Sequence, residues 1–189
     1  MLARQSQGRY NTPSRVRRMG ERGYRLYKGR WAYDFALGDV MAQESVPFSL
    51  AAFASAWLQR LGLDGKKCLL ARDDSNLPSP FSGSMKLYRD DGTHLELDTV
   101  AKPLEPDCPY VRAVRAGDFD IIVISVAGWS LEDDPERPCP ACGCGVHTAL
   151  QHTVLHELVH VAYPEYSADN EWTDNKVREL LELDAQDSQ

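Results

Sequence analysis

The sequence contains no apolar run of the roughly 20 residues that a membrane-spanning helix needs. Its N-terminal stretch also lacks the apolar core of a secretory signal, and no segment repeats another. At 189 residues the chain is long enough to bury a core without disulfides as staples. These features exclude an integral membrane protein. They predict a protein that is made and kept in the cytoplasm and does not contact membranes.

Acidic residues are nearly absent from residues 1–31, which carry nine Lys or Arg, the single acid Glu21 and therefore a net charge of +8. The whole chain carries −7, so residues 32–189 carry −15. Tyr and Trp are interleaved with the basic residues, a combination that can bind phosphates and stack on bases. The alternative is an arm that only balances the acidic remainder. We therefore predict a basic N-terminal arm at 1–31, with nucleic-acid or polyanion contact as one interpretation, and a single domain at 32–189.

The hydrophobic pattern of residues 32–189 predicts an α+β fold. Residues 47–61 carry apolar side chains at helical spacing and are followed by glycines. Residues 67–71 and 119–126 are apolar runs typical of buried strands, and residues 84–98 contain two strand-like halves around an Asp-Asp-Gly turn. We expect a small mixed or antiparallel sheet packed on a core helix and on a second helix that carries the motif described next.

The segment from residue 156 to residue 160 reads His-Glu-Leu-Val-His. Apolar residues at helical spacing flank it, and Pro164 ends the run, which predicts a helix. On a helix His156 and His160 project from one face and can bind one zinc ion, while Glu157 can accept a proton from water that the metal activates. Composition alone produces such a pentad in about 1 of 100 chains. The motif therefore predicts a catalytic zinc site.

A catalytic zinc site takes three protein ligands and keeps one position open, so a third ligand is needed. Ser167 is typical of a helix N-cap, and a carboxylate in the first turn of the helix that follows could face the two histidines. Glu171 is the first choice as the third ligand. Asp169 and Asp174 are the alternatives. Each of the three carboxylates could also be an ordinary first-turn acid that the helix dipole favours.

A second cluster of metal-ligand residues precedes the motif. Its members are Cys139, Cys142, Cys144 and His147. Four such ligands can hold a structural zinc ion with no open position, and Cys108 could replace one of them. A disulfide, a redox Cys-x-x-Cys pair and inert thiols are the alternatives, of which a permanent disulfide is disfavoured in the cytoplasm. We expect a Cys-rich zinc-knuckle loop at residues 139–147 and a second zinc ion.

The motif of His156, Glu157 and His160, followed by a short turn and a helix-borne Glu171, resembles the gluzincin branch of the zincin metallopeptidases. The compact minigluzincins are the most similar in size. The resemblance covers residues 148–183, and the Gly and third His of the metzincins are absent. It implies a zincin-like metallopeptidase domain that hydrolyses peptide or protein substrates, with zinc on His156, His160 and Glu171 and with Glu157 as the general base.

The resemblance also implies that the strand at residues 119–126 lies at the edge of the cleft and pairs with an extended peptide. His152 shares the helix side of the motif and could line that cleft, but we leave it outside the ligand set. Two other functions stay open: a metal-stabilised module that binds protein or nucleic acid, and a zinc hydrolase that cleaves another bond. An open cleft against this strand would favour the peptidase.

Overall fold

The computed structural model describes residues 24–27, 30–34, 40–42, 46–73, 83–95, 104–133, 136–139 and 145–187. The strands are β1 (Tyr24–Tyr27), β2 (Arg30–Asp34), β3 (Val40–Ala42), β4 (Lys67–Asp73), β5 (Gly83–Tyr88), β6 (His94–Leu95) and β7 (Ile121–Ala127). The helices are α1 (Phe48–Arg60), α2 (Pro109–Arg115), α3 (Gly128–Asp133), α4 (Ala149–Ala162) and α5 (Asn170–Asp187), with a short 3-10 helix at Pro164–Tyr166. Within these ranges no helix combines the length and the apolar character needed to cross a bilayer.

The strands form one mixed sheet in the order β1-β2-β3-β4-β7-β5-β6. β3, β4 and β7 are parallel neighbours, and the other pairs are antiparallel. The hairpin predicted from Asp-Asp-Gly joins β5 to β6, with Leu87 opposite Leu95 and with Gly92 at a φ of 88° in the turn. A mixed sheet with helices confirms the predicted α+β class.

Strand β7 lies in the middle of this sheet. It pairs with β4 along its whole length and with β5 from Ile121 to Val126. The prediction that the strand at residues 119–126 forms the edge of a cleft is therefore wrong, because both of its edges already bond to neighbouring strands. The spacing of apolar residues identified the strand, but its place in the sheet is set by pairing with distant segments.

Helices α1 and α4 pack against each other, and α4 also packs on β5 and β7. Ile122, Ile124 and Val126 on one face of β7 are 0% exposed and alternate with half-buried residues. Leu155 and Leu158 of α4 are likewise 0% exposed. Each such side chain contributes about 1.5–3 kcal/mol when it is fully buried. Apolar packing therefore fixes α4, and with it the histidine motif, against the sheet.

Helix α2 was not predicted from the sequence. It begins after Cys108, whose sulfur accepts a hydrogen bond from the backbone N–H of Val111 at 3.5 Å, and Pro109 occupies the first turn. A seven-residue helix is too short for a clear periodic pattern. Cys108, which the sequence offered as a substitute zinc ligand, serves here as a helix cap.

The predicted boundary between residues 31 and 32 falls inside β2, which spans Arg30–Asp34. β1 lies wholly within the stretch assigned to the arm and pairs with β2. A division at this position would cut β2, and the arrangement of an arm and a single domain stays a prediction. Residues 1–23 lie outside the described residues, so their contact with polyanions stays a prediction.

Deletion of residues 1–34 is expected to destabilise the protein more than deletion of residues 1–23. The longer deletion removes β1 and β2 and leaves β3 without its antiparallel partner, which exposes an edge that promotes aggregation. Thermal unfolding and light scattering compare the two truncated proteins with the full chain. Equal melting temperatures for both truncations would contradict the pairing of β2 with β3.

Candidate metal centre

Helix α4 begins at a capping box that the sequence encodes locally. The hydroxyl of Thr148 accepts from the backbone N–H of Gln151 at 3.2 Å, and the side chain of Gln151 accepts from the N–H of Thr148 at 2.8 Å. The helix ends at Ala162, and Pro164 opens the 3-10 helix. The predicted motif helix is thus confirmed, with its histidines four residues apart on one face.

The two histidines of the motif turn the same nitrogen toward each other. Nε2 of His156 lies 3.0 Å from Nε2 of His160. Two imidazoles on one tetrahedral zinc, at Zn–N distances of about 2.0–2.1 Å, have their nitrogens about 3.3 Å apart. The pair is therefore spaced as two ligands of one ion are, within a few tenths of an ångström.

Helix α5 supplies a hydrogen-bond partner for Nδ1 of each imidazole, the outer nitrogen that faces away from the other histidine. Nδ1 of His156 lies 2.7 Å from Oδ1 of Asp174, and Nδ1 of His160 lies 3.5 Å from Oγ1 of Thr173. Thr173 gives its own hydroxyl hydrogen to the carbonyl of Asp169 at 2.9 Å, so its oxygen is left to accept from His160. Partners of this kind place the proton on the outer nitrogen. Both Nε2 atoms then present lone pairs to the same point.

His152, one turn before His156, joins the cluster. One nitrogen of His152, one of His156 and a carboxylate oxygen of Asp174 lie within 4.8 Å of one another, so these three residues could hold a metal ion. Nε2 of His152 lies 3.6 Å from Oδ1 of Asp174. His152 was not among the predicted ligands. Its spacing of four residues from His156 was the signal that could have included it.

The carboxylate that meets the histidines is Asp174, not Glu171. Glu171 is exposed, and the group of potential ligands among the described residues contains Asp174 instead. Asp174, one of the stated alternatives, is therefore the carboxylate beside the histidines, and it contacts Nδ1 of His156 rather than the facing Nε2 atoms. The identity of the third ligand stays a prediction.

The buried face of α5 accounts for this contact. Asp174 precedes the fully buried Val177 and Leu181 by three and seven residues and therefore shares their face of the helix, whereas Glu171 lies on another face. Asp169, rather than Ser167, caps the helix, because its carboxylate accepts from the backbone N–H of Trp172 at 2.9 Å. The hydroxyl of Ser167 donates instead to the carbonyl of Pro164 at 2.7 Å.

Glu157 is 8% exposed and packs against the sheet. Burial raises its pKa to about 7, although His156 opposes the shift. Gly83 of β5 makes room for it: a Cβ at residue 83 would lie 3.1 Å from Oε1 of Glu157 and 2.7 Å from Cγ2 of Thr153. A carboxyl group that titrates near neutrality can both accept and return a proton.

The protonation states of the cluster suit metal binding. Burial lowers the pKa of His160 to about 4, and burial also lowers the pKa of His152. The hydrogen bond from His156 holds the pKa of Asp174 below its usual value. At neutral pH His152 and His160 are therefore uncharged and the carboxylate is ionised. Metal ions bind these deprotonated forms, so the donor set fits a divalent cation such as zinc.

Backbone hydrogen bonds tie together the ends of the Cys-rich loop. The N–H of Cys139 donates to the carbonyl of His147 at 2.7 Å, and the N–H of Ala149 donates to the carbonyl of Arg137 at 2.9 Å. The loop therefore closes just where α4 begins. Cys142 and Cys144 lie outside the described residues, so the zinc knuckle as a whole stays a prediction.

The side chains of Cys139 and His147 contact different partners. Sγ of Cys139 lies 3.5 Å from Nδ1 of His152. Nε2 of His147 lies 3.4 Å from Oδ2 of Asp184, within ion-pair range but without hydrogen-bond geometry, and its ring packs against Phe53. Cys139 thus contacts the motif helix, whereas His147 contacts α5 and α1.

No protein-family model matches this chain, and neither a curated protein nor a solved structure matches it. The gluzincin resemblance therefore has no support from an overall similarity. An assignment of function depends on the geometry of α4 and α5 alone.

Replacing Asp174 by Asn is expected to weaken zinc binding about 10–100-fold, the usual cost of losing a carboxylate that orients a histidine ligand. Glu171→Gln is the matched control and should leave the affinity unchanged, because Glu171 is exposed. Competition with a chromophoric chelator measures both affinities. Weaker binding in Glu171→Gln, with normal binding in Asp174→Asn, would restore Glu171 as the ligand.

Gly83→Ala is expected to displace Glu157 and Thr153, since the new methyl group would overlap Cγ2 of Thr153. Thr153→Ser removes that methyl group while keeping the hydroxyl that donates to the carbonyl of Ala149. The double variant should therefore recover most of the thermal stability that Gly83→Ala loses. Equal melting temperatures for the single and double variants would show that the contact does not constrain this residue.

Proposed function

We propose that this protein is a zinc-dependent metallopeptidase that hydrolyses peptide bonds in peptide or protein substrates. One observation carries the proposal. The Nε2 atoms of His156 and His160 face each other at 3.0 Å, and the carboxyl group of Glu157 is buried on the same helix. Two imidazole lone pairs at this distance repel each other unless a proton or a cation lies between them. With the proton of each imidazole on Nδ1, a cation between the two Nε2 atoms satisfies both lone pairs.

His156 and His160 would hold the ion through Nε2. Asp174 and Thr173 support this role, since each accepts from the outer nitrogen of one of these imidazoles. When bound, zinc supplies Lewis acidity that lowers the pKa of water and polarises a carbonyl oxygen.

Glu157 is the residue that moves the proton. It accepts a proton from the water whose oxygen bonds to the carbonyl carbon, and it returns that proton to the amide nitrogen as the C–N bond breaks. The products are a carboxylic acid and an amine. Its burial against Gly83 of β5 supports this role, because a carboxyl group in an apolar setting readily exists in both protonation states.

The same burial favours an enzyme over a metal-stabilised binding module. Placing a carboxyl group in the core without an ion-pair partner costs stability. A module that used the metal only to hold its shape would be more stable with a neutral or apolar residue at position 157. The cost is understandable if the carboxyl group takes part in a reaction.

Glu157→Gln is expected to lower hydrolysis by about 10²–10⁴-fold, the usual contribution of a general acid–base group, without loss of zinc. The amide keeps the size of the side chain but cannot take a proton. Zinc-loaded protein would be incubated with a quenched-fluorescence peptide library, and mass spectrometry would locate the cleaved bonds. Elemental analysis would give the zinc content of each variant.

Glu171→Gln serves as the control, since this exposed residue lies outside the group that could hold the ion. It should cleave at the rate of the unmodified protein. Undiminished cleavage by Glu157→Gln would exclude the proposed base. No cleavage of any peptide by the zinc-loaded protein would exclude the peptidase and leave a binding module or a hydrolase of another bond.

A further inference from the structure

A second pair of metal-ligand atoms lies one helical turn from the facing Nε2 atoms. Sγ of Cys139 lies 3.5 Å from Nδ1 of His152. A sulfur and a nitrogen bound to one tetrahedral zinc, at about 2.3 Å and about 2.0–2.1 Å, lie about 3.6 Å apart. The pair is therefore spaced as two ligands of one ion are. An S–H···N hydrogen bond has a similar length, so the cobalt measurement described below separates the two interpretations. Two further features fit a metal site.

The first such feature is the orientation of the imidazole. Nε2 of His152 faces Oδ1 of Asp174 at 3.6 Å, which favours the proton on Nε2 and a lone pair on Nδ1. That lone pair points to the sulfur of Cys139. Oδ1 of Asp174 also accepts from Nδ1 of His156 at 2.7 Å. One carboxylate thus contacts different nitrogens of the two imidazoles. This leaves Nε2 of His156 and Nδ1 of His152 available to bind a metal ion.

The second feature is the position of Cys139. Its side chain is 2% exposed, and its backbone is tied to His147 at the neck of the Cys-rich loop. A cysteine sulfur held against an imidazole forms, once a metal displaces its proton, a soft ligand pair of the kind that selects zinc. Cys142 and Cys144 follow in the same loop of the sequence but lie outside the described residues, so they are not assigned here.

We infer that Cys139 and His152 are two ligands of a second, thiolate-containing zinc site, and that Asp174 positions a histidine in each of the two sites. His152 takes the place that the sequence suggested for His147, whose ring contacts Asp184 and Phe53 instead. The inference concerns metal binding only and does not depend on peptidase activity.

Cobalt(II) alone is the probe, added to the full-length, metal-free protein. Thiolate bound to cobalt gives a charge-transfer absorption in the near ultraviolet, which the histidine pair of the other site cannot produce. The unmodified protein should show this band. Cys139→Ser should remove it or reduce it, and His152→Gln should lower the cobalt affinity of the site at least tenfold.

Two matched variants complete the design. Cys108→Ser also removes one thiol, but serine is a good helix cap, so the band should persist. His147→Gln should likewise leave the band unchanged. Circular dichroism checks that each variant is folded. Long-range ¹H–¹⁵N spectra of the unmodified protein on zinc addition identify the imidazole nitrogen that binds, should His152→Gln fail to fold.

Three outcomes would overturn the inference: no charge-transfer band in the unmodified protein, a band that Cys139→Ser leaves intact, or a band that is lost in His147→Gln but kept in His152→Gln. Asp174→Asn tests the shared carboxylate. It should weaken both the thiolate-linked cobalt and the ion at the other site, whereas Glu171→Gln weakens neither. These absorption measurements remain interpretable even if the protein cleaves no peptide.

Discussion

The hydrogen bond from His156 to Asp174 is the interaction on which the candidate metal centre depends. An imidazole on a largely buried helix must find partners for both nitrogens, and α5 supplies the outer partner for His156 and for His160. Val177 and Leu181 of α5, both 0% exposed, hold it in this register. A slide of one turn, about 5.4 Å, would remove both partners at once. The centre is therefore a property of two packed helices rather than of one motif.

Apolar burial is large enough to impose this arrangement. Six aliphatic side chains of α4 are at most 2% exposed: Leu150, Val154, Leu155, Leu158, Val159 and Val161. Each contributes about 1.5–3 kcal/mol, whereas an unsatisfied buried polar group costs about 1–3 kcal/mol. The aliphatic residues therefore decide where α4 lies, and Glu157 and His160 are carried into the interior with it. Apolar packing therefore suffices to place both residues in the interior.

The sequence was informative where structure is local. The capping pair at Thr148, the stop at Pro164 and the spacing of the two motif histidines are all encoded within a few residues. The carboxylate beside the histidines was not, because the first turns of α5 offer several acids and the N-cap does not choose among them. Asp174 is the one that shares a helix face with the buried Val177 and Leu181, and packing of that face decides which carboxylate lies near α4. The central place of β7 was equally hidden, since it follows from pairing with strands far away in the sequence.

Asp174 lies between His152 and His156, so the two proposed ligand sets would not be independent. Its side chain is 50% exposed and thus still partly hydrated, which limits the cost of holding a charge beside two imidazoles. The Cys-rich loop reaches α4 through Cys139 and His152, at the end opposite to Pro164. A displacement of Cys139 would move His152, alter its contact with Asp174 and so change the partner that orients His156. The chemistry of the loop is therefore linked to the motif through side chains, along a path of three contacts no longer than 3.6 Å each.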